Sequence, residues 1–189
     1  MINRKKLSGF TLVELLVTLM IFSSLSLLVV PSYFGYQSRQ AISLKAWEIK
    51  RALELARSIA VSEYMQIKAC PAGANYGCVA SSGTKFLVFK DSNNNHHWDT
   101  DEPIYKDIGI EDFNIKLSAS GRASVRFKPS GEAMESGNIQ ICNIKKTNFS
   151  KQIIFIYSGR IRMSTDENRD GYDEKNGRNI ACNNGALGL

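Results

Sequence analysis

The sequence predicts an α+β fold in which one long amino-terminal helix packs its carboxyl half on antiparallel sheet. Three observations carry that prediction. Phe10 to Val30 is a continuous apolar run broken only by Thr, Ser and a single ionisable residue, Glu14. From Ser32 to about Tyr64 apolar residues return at helical spacing, and after Cys70 short segments rich in Val, Ile and Phe alternate with turn residues. A length of 189 residues with 43% hydrophobic and 22% charged residues fits one globular domain plus an appendage. It excludes a large multidomain enzyme and a wholly disordered chain.

At about 1.5 Å per helical residue, the run from Phe10 to Val30 spans roughly 31 Å, close to the roughly 30 Å hydrocarbon core of a bilayer. Arg4, Lys5 and Lys6 precede it with no acid nearby, which holds the short amino terminus in the cytoplasm and places everything after Pro31 outside. An uncut anchor and a cleavable signal are both open at this point. A secretory signal calls for a small-residue cut site after the apolar run, and none follows Val30. The small residue, Gly9, comes before the run, so a cut there leaves the helix attached. Glu14 is the residue a simple anchor does not explain, because a carboxylate in a spanning helix costs up to about 3 kcal/mol unless it is paired or reaches the interface.

The second half of the helix is expected to continue the first, with Pro31 and Gly35 giving a kink or a melted turn at the junction. Ile42, Ile49, Leu53, Ala56 and Ala60 mark its buried face, and Trp47 is expected to pack on the sheet as well. Seven strands are predicted: Lys85 to Lys90, Ile104 to Ile108, Phe113 to Ala119, Ala123 to Lys128, Asn138 to Cys142, Gln152 to Ser158 and Arg160 to Met163. One helix followed by these strands is the α+β arrangement.

The segment KKLSGFTLVELLVTLMIF resembles the class III leader and helix start of type IV pilins and secretion pseudopilins. That resemblance implies that a prepilin peptidase cuts after Gly9 and that Phe10 becomes the N-methylated first residue. It implies that Glu14 neutralises the amine of a neighbouring subunit as the filament grows. Pro31 matches the family's helix-interrupting proline. Further along, RALELARSIAVSEYMQIKAC, VRFKPSG and QIIFIYSGRIRM are similar to the GspH/FimT branch of minor pilins and pseudopilins. The implied organisation is a leader over 1–9, a transmembrane and filament-core helix over 10–31, and a pilin-like periplasmic domain over 32–189. The implied partners are the prepilin peptidase, other pilins or pseudopilins and the inner membrane. The protein would cross that membrane once, with its amino terminus in the cytoplasm, before entering a pilus or pseudopilus.

Processing would also change the charge. The chain carries 24 basic and 18 acidic side chains, a net +6; the leader holds three of the cations and no acid, so 21 against 18 remain, a net +3. Whole-chain basicity is therefore weak evidence for a nucleic-acid partner.

Cys70, Cys78, Cys142 and Cys182 all follow the apolar run, in an oxidising space if the topology is as argued. Of the three possible pairings, Cys70 with Cys78 and Cys142 with Cys182 are favoured, because the first brackets a turn-rich loop and the second ties a polar tail to the sheet. Zinc is the rival, but close CxxC pairs are absent and histidine is confined to His96 and His97.

Asp91, Asn93, Asn95, His97, Asp99 and Glu102 occupy the first, third, fifth, seventh, ninth and twelfth places of a calcium loop of the EF-hand kind, with His97 contributing its carbonyl. His96 stands at the sixth place, where that loop's sharp turn favours glycine. A second stretch, Asp166, Asn168, Asp170 and Gly171, starts the same pattern and has Gly177 at the twelfth place. A solvated acidic turn is the alternative for both.

Five cations, Lys145, Lys146, Lys151, Arg160 and Arg162, lie between Cys142 and Met163 without an acid. Strand alternation over Gly159 to Met163 turns Ile161 and Met163 inward and leaves Arg160 and Arg162 together outside. Neighbouring guanidinium groups suit phosphate oxygens, the physics of sequence-independent DNA contact. Arginines that are merely solvated are the alternative. The GRIR segment also resembles the GRxR motif of FimT-type minor pilins that bind DNA during natural transformation.

No nucleophile elbow, phosphate loop, zinc-protease helix or dinucleotide glycine pattern occurs, so no enzyme and no cofactor is expected, with calcium in the Asp91–Glu102 loop left as an alternative. The leading functional expectation is a minor component of a type IV pilus, with DNA as a partner in uptake. The alternatives are an H-type pseudopilin of type II secretion and a non-polymerising, membrane-anchored calcium-binding module.

Overall fold

The computed structural model describes the backbone of residues 9–143, 146–170, 172–175 and 177–182, and the side chains of the same residues except 26–35, 146–148 and 175. One helix, α1 (Leu12–Ser62), is followed by ten strands among the described residues. Two compact units divide the chain, one ending at Ser38 and the other beginning at Arg39.

The helix is assigned without a break across the Pro31 junction, whose side chains lie outside the described residues. From Phe10 to Leu25 its large apolar side chains are exposed, Phe10 to 82%. Among the described residues no helix is long and apolar enough to cross a membrane. The predicted run to Val30 is described in its side chains only as far as Leu25. At the other end the Met65 N–H reaches back to the Ala60 carbonyl at 3.2 Å while Tyr64 takes a φ of 54°. That left-handed residue with a six-to-one bond is a Schellman stop, made here without glycine.

In the second unit, one sheet runs β3–β2–β1–β5, with β1 (Ile67–Ala72), β2 (Lys85–Phe89), β3 (Ile104–Gly109) and β5 (Val125–Phe127). The other runs β4–β6–β7–β8, with β4 (Phe113–Ser118), β6 (Gly137–Asn143), β7 (Lys146–Phe155) and β8 (Ile161–Met163). A small ribbon pairs β9 (Glu174–Lys175) with β10 (Arg178–Asn179). Ile42, Ile49, Leu53, Ala56 and Ala60 are all fully buried and share one core with Ile67, Phe86, Val88, Phe127, Ile139, Ile141, Ile153 and Phe155 from both sheets. The helix face read from spacing is thus the face that closes the core.

Three strands escape the sequence prediction. β1 begins before Cys70 and is buried on both faces, so no polar alternation marks it. Its outer residues, Cys70 and Ala72, join Leu87 and Phe89 in a second apolar cluster under Tyr76, Trp98 and Ile104. Pro71 argues against an inner strand. It is tolerated because its carbonyl accepts from the Val79 N–H at 2.9 Å, so its nitrogen also faces away from β2, and β5 pairs only with Ile67, Lys68 and Ala69. The two-residue strands β9 and β10 are too short to give a periodic signal. Trp47 is a correction of another kind. It is 49% exposed, with the Lys50 ammonium 5.2 Å from its ring centre, and it lines a groove with Leu44, Arg51, Leu55 and Lys106 rather than the core.

Candidate functional site

The helix start is built around Thr11 and Glu14. The Thr11 hydroxyl accepts the Glu14 N–H at 3.3 Å, and the Glu14 carboxylate accepts the Thr11 N–H at 3.5 Å. This reciprocal capping box satisfies two backbone donors that the first turn leaves open, and its negative charge suits the helix amino end. Within a single chain Glu14 therefore already has a partner. The spacing TLVE ahead of an apolar run carries that signal in the sequence, beside the role implied by resemblance. Gly9 and Phe10 lie exposed just before the box, and the leader from Met1 to Ser8 lies outside the described residues.

At the turn from β7 to β8 the cationic segment is set by two glycines and one helix residue. Gly159 has a φ of +76°, and a Cβ there would come within 2.0 Å of the Gly131 carbonyl oxygen. That same oxygen accepts the Arg57 Nε–H at 2.8 Å. Helix, Gly131 loop and hairpin turn thus meet at one point, and only glycine fits at 159. Beyond the turn Arg160 and Arg162 are exposed, while Ile161 and Met163 pack against the core. Lys151 does not join them: its ammonium bonds Asp173 at 2.9 Å, and Asp173 is itself buried and bonded to Ser164. Lys145 and the side chain of Lys146 lie outside the described residues.

The loop from Asp91 to Glu102 is closed by groups of the chain itself. Lys68, wholly buried on the outer face of β1, directs its ammonium at Asp91, with the Asn94 amide oxygen 3.4 Å and His96 Nδ1 3.1 Å away. Asp91 also accepts the Asn95 and His96 N–H groups at 3.2 and 3.0 Å. Glu102 accepts the N–H groups of Ser92 and Asp99. Asp99 receives the side-chain amides of Asn93 and Asn95, both at 2.8 Å, and these bonds hold its carboxyl below the usual carboxylate range. His97 lies 3.6 Å from Asp99. His96 takes the positive φ, 63°, that its sixth place requires. The first-place acid is therefore paired with a tethered ammonium, and the twelfth-place acid with backbone donors.

In the second stretch the carboxylates of Asp166, Asp170 and Glu174 lie within 4.8 Å of one another. Asp170 is held below the ordinary carboxylate range first by the Asn179 amide and then by the Tyr172 N–H. Glu174 sits at the ninth place of the pattern, ahead of Gly177 at the twelfth. Oxygens so disposed can serve as ligands for a hard cation.

Two disulfides form, Cys70–Cys78 and Cys142–Cys182, and no described cysteine is free. The first fastens the hairpin whose tip bonds the Asp91–Glu102 loop, through Cys78 N–H to the His96 carbonyl at 2.9 Å. The second fastens the tail, which Arg39 also grips by standing over the rings of Phe149 and Tyr172.

Residues 45–166 match the family described as Type II transport protein GspH. The chain belongs to the GspH family. As a GspH/FimT-type chain it also carries, over residues 4–30, the prokaryotic N-terminal methylation motif. The pilin-like α+β fold is shared with the crystal structure of the type IV minor pilin FimU from Pseudomonas aeruginosa. Identity to that structure is 18%, with 69% of this chain and 92% of that chain covered at a TM-score of 0.51. A second crystal form of FimU aligns at 19% identity over 64% and 90% of the two chains, with a TM-score of 0.46. Among curated proteins none matches this GspH-family chain.

Proposed function

We infer that the chain is a minor subunit of a type IV filament, cut after Gly9 by a prepilin peptidase and polymerised through its apolar helix. It is held in the inner membrane with its amino terminus in the cytoplasm until it enters the filament, and it performs no catalysis. The observation that carries this reading is the run of exposed apolar side chains from Phe10 to Leu25, with a single acid in the first turn of α1, inside the methylation motif. Apolar side chains exposed all along a helix need lipid or other helices to cover them. A cut after Gly9 creates an amine next to the Thr11–Glu14 box, so Glu14 meets either its own capping donors or a neighbour's amine. A Glu14→Ala variant keeps membrane insertion and loses incorporation into sheared filaments. Unchanged incorporation would overturn the assembly reading.

Within the filament, Arg160 and Arg162 face DNA during uptake. Their exposure on a hairpin end fixed by Gly159 and Arg57 supports this role. A second reading, the H-type pseudopilin of a type II secretion system, draws on the description that the family carries. Deletion separates the two: the pilus reading predicts loss of DNA uptake with secretion intact, and the pseudopilin reading predicts the reverse.

A further inference from the structure

Lys68 is the largest fully buried polar side chain among the described residues, and no part of the assembly or DNA readings uses it. Its side chain is 0% exposed and that of Asp91 is 1% exposed. Burying both charges costs several kcal/mol per ion before their attraction is counted. Across the sheet, Lys68 stands opposite Arg126, a second cation, and Arg126 is already matched to Glu135. Asp91 is therefore the one acid in contact with Lys68 among the described residues.

The groups around this pair have the arrangement of an acyl-transfer site. Asp91 Oδ1 receives the Asn95 N–H at 3.2 Å and Oδ2 the His96 N–H at 3.0 Å, so the oxygen that takes up negative charge on attack at Cγ has a backbone donor already in place. His96 Nδ1 lies 3.1 Å from Lys68 Nζ, within reach of the proton that a nucleophilic amine must release. We propose that Lys68 and Asp91 condense to an intramolecular isopeptide bond, with His96 carrying the proton.

The step balances without an activating group or a redox partner. The reacting pair is the amine and the carboxylic acid, the ion pair with one proton moved from Nζ to the carboxylate. Nζ attacks Cγ, and the negative charge that develops on Oδ2 is met by the His96 N–H, while Oδ1 becomes the departing hydroxyl. His96 takes the proton shed by Nζ and gives it to the departing hydroxyl. The C–O bond breaks, the N–C bond remains, and one water leaves. Burial, followed by the charge of Lys68, holds His96 below its ordinary range, so it stands neutral and able to accept. The product is neutral; its carbonyl keeps the His96 N–H, the Asn95 N–H keeps the Asn93 amide oxygen at 3.1 Å, and the new amide N–H keeps Asn94 or His96 as acceptor. Two buried charges disappear and each polar atom retains a partner. The bond would tie β1 to the Asp91–Glu102 loop independently of the Cys70–Cys78 disulfide.

The test is an intact mass of the full chain, purified in detergent and fully reduced. The expected mass is one water, about 18 Da, below that of the same chain with four thiols, and digestion yields a branched peptide joining Lys68 to Asp91. Asp91→Ala restores the full mass. His96→Asn, which tolerates the same positive φ, leaves a mixture of linked and unlinked chains. A folded wild-type chain at full mass, or a loss of water mapped to another acid such as Asp170, would overturn the proposal and leave Lys68–Asp91 an ion pair.

Discussion

At Gly159 one missing side chain decides whether three elements can meet. The Gly131 carbonyl oxygen accepts the Arg57 guanidinium and lies where a Cβ on residue 159 would stand. Gly159→Ala adds both a strained φ and a clash with main-chain atoms, which cannot swing aside as a side chain can. A loss of about 2–3 kcal/mol is expected, from strain of about 1–3 kcal/mol plus the clash. That corresponds to roughly 4–12 °C in melting temperature for a domain of this size. Gly121 supplies the control, since it has a φ of +79° with nothing within 4 Å of a Cβ, so Gly121→Ala suffers the strain alone. Equal losses in the two variants would show that close approach at Gly159 is not what requires glycine. From the sequence, Gly159 reads as the first letter of a phosphate-contact motif. Its structural task depends on Gly131 and Arg57, residues distant in the chain, and is visible only once they are placed.

Between elements, β3 fastens the end of α1. The Tyr105 hydroxyl donates to the Glu63 carboxylate at 2.7 Å and lies 3.9 Å from the Met65 sulfur, just beyond the Schellman stop. Burial, then the hydrogen bond to Glu63, pushes the Tyr105 phenol up to about 12. An unfolded chain loses this proton near 10, so above pH 10 the native state binds more protons than the unfolded state, and stability falls as pH rises. Its contribution is complete below pH 10 and lost by the time the pH has passed 12. Chemical denaturation at pH 9, 10 and 11 should show the wild type losing stability more steeply than Tyr105→Phe, which has no proton to lose. Parallel curves would remove Tyr105 from the account. The strand itself is legible, as are Ile42, Ile49, Leu53, Ala56 and Ala60 on the buried face of α1, because a half-buried element writes its period into the chain. β1 is not, since IKACPA buries both faces and carries a proline. Trp47 misled for the opposite reason, because helical spacing cannot tell a core face from a groove that another molecule could cover.

For the molecule as a whole, charge argues against treating basicity as a DNA signal. Processing would lower the net charge from +6 to +3, and the tail after Met163 carries five acids against three cations. Any DNA affinity then depends on where cations stand free rather than on how many there are. Of the cations singled out in the sequence, Lys151 is tied to buried Asp173, whereas Arg160 and Arg162 are exposed on one side of β8. Legibility was partial here: alternation predicted the outward arginines, but the partner of Lys151 lies 22 residues further along the chain. Binding to a random duplex at several salt concentrations separates the local explanation from the global one. Replacing Arg160 and Arg162 with glutamine should weaken binding and reduce the salt slope by about 1.8, if each arginine contacts one phosphate. Lys151→Gln removes a charge from the same region but not from the contact, so its slope should match the wild type. A slope that falls equally with Lys151→Gln would mean that net charge, not the hairpin, attracts DNA. A slope unchanged in the double arginine variant would remove the nucleic-acid role while leaving filament assembly through Phe10 and Glu14 untouched.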